Sequence, residues 1–90
     1  MLNAIKAYSK IGDQEGRSAR VRAFQYYTIA TYYLRYLNDL KNCALAYKKS
    51  LDLFAMIENQ TADDAKWINY INQDINKYGL SKYLTEEEND

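Results

Sequence analysis

Apolar residues recur every three or four positions along nearly the whole of this chain, and no proline interrupts them. That spacing matches the turn of an α-helix, and no stretch alternates apolar and polar residues long enough for a half-buried strand. Glycine, the other common breaker, occurs only at Gly12, Gly16 and Gly79, so helices have few places to end. The chain therefore reads as all-α, with antiparallel helix-turn-helix pairs forming a small bundle of four to five helices. One domain is expected over residues 1–84, followed by an acidic, flexible tail over 85–90.

The breakers divide the pattern. A short first helix over 2–10 turns Leu2, Ile5 and Tyr8 inward, and Gly12 is expected to close it in the left-handed conformation. Asp13 then offers its carboxylate as cap for a second helix over 14–37. That helix carries two apolar stripes: Phe24, Tyr27, Ala30, Leu34 and Leu37 on one, and Tyr26, Ile29, Tyr33 and Tyr36 on the other. A helix apolar on two sides must be covered on two sides, so it should lie at the centre. Asn38 and Asp39 end it, and Asp39 caps a third helix over 40–58 whose inner face includes Cys43, Ala44, Tyr47, Ser50 and Phe54. Thr61 followed by Asp64 resembles a capping box and opens a fourth helix over 62–78. Its inner stripe should be Ala65, Ile68, Ile71 and Ile75, with Trp67 beside them.

The second and third helices resemble a tetratricopeptide repeat. Tyr27 stands at the large aromatic position, Ala30 and Thr31 at the Leu-Gly pair, and Leu34 at the second aromatic. Cys43 takes the small position of the following helix, Tyr47 its aromatic and Ser50 its final small position. Ala4, Tyr8 and Lys10 parallel Cys43, Tyr47 and Lys49, like the end of a preceding repeat. The likeness covers about two-thirds of the chain. It departs from the pattern in placing Thr31 where glycine is usual and in lacking the closing proline. Another small bundle, such as a microtubule-interacting-and-transport type module, shares the same helix-pair periodicity. The resemblance implies a scaffold that holds partners. Repeat arrays usually need about three units for a continuous core, so exposed ends are expected to pair with another copy, or the chain belongs to a longer array.

The residue inventory argues against most enzymes. There is no histidine, the commonest general base and metal ligand. The single Cys43 offers neither an intrachain disulfide nor a thiolate zinc site, and its place on an apolar stripe marks it as a small buried hydrophobe. No glycine-rich phosphate loop occurs, and no pattern requires a cofactor or metal. Asp63 and Asp64 read as charge complementing a helix N-terminus. No continuous apolar run suits a signal peptide or a membrane span, so a soluble, cytoplasmic protein is expected.

Charge is balanced overall but not along the chain. Residues 1–50 hold nine basic and three acidic residues, a net +6, and residues 51–90 a net −6. Arg17, Arg20 and Arg22 are a candidate basic patch for an acidic partner, and the split also suits head-to-tail self-association. A sequence pI of about 6.2 argues against nucleic acid. The ten tyrosines suit a binding surface, because each offers large rigid area and a polar tip. Tyr26, Tyr32 and Tyr36, further round the second helix, with Arg22 and Arg35 to grip a carboxylate or phosphate, form the candidate partner site. The reading is a non-enzymatic adaptor or scaffold for a peptide or helix of a partner protein, the alternative being a self-associating structural or regulatory bundle.

Overall fold

A computed structural model describes residues 2–84 of the chain. The helices are α1 (Leu2–Gly12), α2 (Ala19–Tyr32), α3 (Leu40–Ala55) and α4 (Ala62–Lys77), with a final helical turn over 81–84. The described residues contain no strand, so the all-α bundle is what forms. The expected acidic tail over 85–90 lies outside the described residues.

Local chemistry sets the helix ends. Thr61 and Asp64 form the capping box: the Thr61 hydroxyl accepts from the Asp64 N–H, and the Asp64 carboxylate accepts from the Thr61 N–H. Asp39 caps α3 by accepting from the Asn42 N–H at 3.1 Å. The second helix starts later than expected. Residues 13–18 form a turn, and Ser18 rather than Asp13 is the cap, its hydroxyl accepting from the Val21 N–H at 3.2 Å. Gly12 is not left-handed; the positive φ values among the described residues belong to Asn38 and Gly79. Gly12 is required instead for close approach, since a Cβ there would lie 2.8 Å from Cε2 of Tyr26.

Beyond Tyr32 the second helix widens into a π-helical turn, Tyr33–Leu37. The N–H groups of Asn38 and Asp39 both return to the Tyr33 carbonyl, and Asn38 closes the helix at φ 49°. The wider turn takes one residue more than an α-turn, which rotates the end of the helix off the inner face. Leu37, expected in a core stripe, is accordingly exposed.

Successive helices run antiparallel. Gly12 faces Tyr26 while Tyr8 stacks on Tyr32, which sets α1 against α2. Ser50 reaches Ala23 while Tyr47 meets Tyr27, which sets α2 against α3. The Tyr47 hydroxyl donates to Asp74 while Phe54 shares a pocket with Asp64, which sets α3 against α4. α2 is the central helix: α1, α3 and the aromatic edge of α4 all cover it.

The α2–α3 seam is closed by small residues. Ala23, Ala30, Cys43, Ala44 and Ser50 are fully buried there. Ser50 Oγ donates to the Ala23 carbonyl at 2.7 Å, so its hydroxyl is satisfied inside the core. Tyr47 and Phe54 fill the space between the backbones. Burying each such ring contributes about 1.5–3 kcal/mol relative to leaving it in water. Two expected inward residues turn outward: Phe24 on α2 and Ala65 on α4. Phe24 lies on the side where α2 and α4 meet without closing.

Candidate functional site

α2 and α4 are both antiparallel to α3, so they lie parallel to each other with α3 behind them. Between their first turns runs a groove of about 530 Å³. Phe54, 1% exposed, forms its floor. Phe24 and Trp67 form the walls, their rings edge to face at 5.4 Å. Trp67 continues the aromatic line to Tyr27 at 5.2 Å and to Tyr70 at 5.6 Å. Val21, Phe24 and Tyr70 stand 39%, 41% and 38% exposed. Bulky rings on both lips keep the two helices apart, where small residues let α2 and α3 touch.

An ion pair ties the groove shut at one end. Arg20 donates from Nε and Nη2 to the two carboxylate oxygens of Asp64, both at 2.8 Å. This bidentate geometry is the strong form of the interaction, and it is the ion pair present among the described residues. Asp64 is buried, with its carboxyl held well below the usual carboxylate range by the Arg20 hydrogen bond first and the Thr61 N–H next. One side chain thus caps α4 and anchors it to α2.

Two buried tyrosines satisfy their hydroxyls on carboxylates. Tyr47 donates to Asp74 at 2.6 Å, and burial together with that carboxylate drives its phenol well above the ordinary range. Tyr26 donates to Asp13, and burial first, then that bond, push its phenol up to about 12. Tyr27 is raised by burial and by Asp74, and the positive charge of Arg35 opposes the rise. Burial pushes the Cys43 thiol up to about 12, which leaves it unreactive at neutral pH.

The structure separates the five residues expected to bind a partner. Tyr26 is a core residue, 6% exposed, because Gly12 brings α1 onto its ring; the expectation that it faces a partner is corrected. Arg22 donates to the Gly12 carbonyl at 2.7 Å and holds the end of α1. Tyr32 stacks on Tyr8 and meets Tyr36, both at 5.7 Å, on the α1 side of α2, and Tyr36 is 62% exposed. Arg35 is exposed. The arginine patch also dissolves: Arg20 is spent on Asp64, Arg22 on Gly12 and Arg17 on Gln14. Sequence reasoning assigned Phe24 and Trp67 to the core and passed over Val21 and Tyr70. The available signal was their spacing, three residues apart in each pair, beside rather than within the isoleucine stripe of α4.

No group of three or more His, Cys, Asp or Glu among the described residues is placed to hold a metal ion. No helix among them is long and apolar enough to cross a membrane. Comparisons with protein-family models, curated proteins and solved structures each return no match.

Proposed function

We propose that this protein is a non-enzymatic protein–protein interaction module, a tetratricopeptide-like adaptor of the cytoplasm, which holds a peptide or helix of a partner protein between α2 and α4. The observation that carries this reading is the line of exposed Val21, Phe24 and Tyr70 with half-buried Trp67, beside an apolar floor. Aromatic side chains around a concave site are the usual energetic centre of a protein interface. The rings are already fixed against one another, so binding costs little side-chain ordering. The mechanism is display: α3 holds two helices at a set separation, and the partner supplies the side chain that fills the gap.

The reading is tested by affinity capture from the native host with the wild-type protein and with Phe24→Glu. The charge is placed on an exposed residue, so circular dichroism should show unchanged helicity. A partner recovered only by wild type, and binding it directly after purification, is the expected result. Equal recovery by both proteins would place the interaction elsewhere on the molecule.

A further inference from the structure

The groove has two levels. α2 and α4 run parallel, and each sets a charged residue four positions before an aromatic one: Arg20 before Phe24, and Asp63 before Trp67. Four residues are about 6 Å along a helix axis, and residues so spaced share one face. One level thus holds Arg20, Asp63 and Asp64; the next holds Phe24 and Trp67, and Val21 extends the apolar lining. Two carboxylates and one guanidinium leave the charged level net negative. Arg20 is bound to both oxygens of Asp64, and Asp64 already serves as the cap of α4. Asp63 is exposed, with no hydrogen bond or ion pair among the described residues. All twelve lysines and arginines of the chain lie between Lys6 and Lys82, within those residues. No basic side chain of the protein therefore neutralises Asp63. Even Lys66, within reach on the same helix, lies over the Trp67 and Tyr70 rings, 5.9 Å from each centre.

We propose that the groove takes a basic side chain from a segment of the partner protein: a lysine or arginine whose stem lies along Val21, Phe24 and Trp67 and whose charged head pairs with Asp63. This rests on the adaptor reading and deepens it. Long basic side chains lay their methylenes along apolar surface and keep the charge at its edge. The step of about 6 Å from the rings to the carboxylate is the length of one such stem. Nothing has to enter between Phe24 and Trp67, whose rings stay in edge-to-face contact. Asp63 stands at an exposed rim, so the pair adds modestly to affinity. Its main effect is selection, because an acidic head in the same place meets an unneutralised carboxylate.

The test is selection of a phage-displayed library of random linear peptides on the full chain, with affinities of chosen peptides measured by fluorescence polarisation. Phe24→Ala and, independently, Val21→Ser report on the apolar lining without altering charge. Asp63→Asn and Asp63→Lys report on the carboxylate, and circular dichroism checks that each variant keeps wild-type helicity. The expected result is peptides that share a Lys or Arg and weaken on both lining variants. Their affinity should fall about three- to fivefold on Asp63→Asn, fall further on Asp63→Lys, and return on Asp63→Lys when the peptide's basic residue becomes Glu. Peptides that need Phe24 and Val21 but carry no basic residue, or bind Asp63→Asn as well as wild type, would overturn the basic anchor and leave the adaptor reading standing. A wild-type chain that sediments as a dimer, beside a monomeric Phe24→Ala chain, would assign the groove to a second copy and overturn the proposal. Absence of any peptide that depends on Phe24 or Val21 would overturn both readings.

Discussion

One helix, α2, meets its neighbours in two opposite ways. Against α3 it presents Ala23 and Ala30, and the seam closes until neither residue touches solvent. Against α4 it presents Phe24, and the helices stand apart around a groove. Side-chain size decides the difference. Small residues allow backbones to approach and gain dispersion contacts throughout. Large rings on both partners meet at their edges and leave a slot. The closed seam serves stability, and the open one carries the binding role we propose.

This contrast is open to direct test. Tyr47→Ala removes a ring with no exposed surface from the closed seam. It should cost about 3–5 kcal/mol by chemical denaturation, close to the whole stability of a small domain. Ala23→Leu, overfilling the same seam, should cost about 1–3 kcal/mol and should also disturb the Ser50 bond to the Ala23 carbonyl. A loss below that range would mean the seam is looser than its burial indicates.

The ion pair at the groove end adds a pH-dependent contribution. The folded Asp64 carboxyl lies below its ordinary value of 3.8, so the unfolded chain binds the proton more readily. That stabilisation is complete above the ordinary value and declines as pH falls through it. Melting temperature should drop more steeply below pH 4 for wild type than for Asp64→Asn, which has nothing to titrate there; parallel curves would remove Asp64 from the account. The smallest effect is expected on the open side. Phe24→Ala and Tyr70→Ala should each cost about 1 kcal/mol, for the ring contacts with Trp67 that they remove, while weakening the proposed partner binding. A large loss of stability would make these rings structural.

Much of the fold was legible because it rests on local patterns. The Thr61–Asp64 capping box needs only a hydroxyl and a carboxylate three residues apart. Asp39 caps α3 for the same reason. Cys43 and Ser50 were readable as close-approach positions because they recur on one helical face with Tyr47 between them. The candidate site was far less legible. The tyrosines of the second helix pointed to a surface, but periodicity states which residues share a face and not which neighbour covers it. Tyr26 looked free and is buried by α1; Phe24 looked like core and is open. The π-turn at Tyr33–Leu37 moved Leu37 outward through a one-residue change of phase that no spacing rule anticipated.

Helix number, order and capping followed from short-range chemistry: hydrogen bonds over three or four residues and the burial demand of apolar stripes. The pairing of Arg20 with Asp64 across 44 positions, and the placing of Trp67 over Phe24, arise only when α4 docks beside α2. They depend on the sum of packing contacts over three helices, and no window of sequence contains that sum. That docking engaged Arg20 in an internal ion pair and left an aromatic groove beside it.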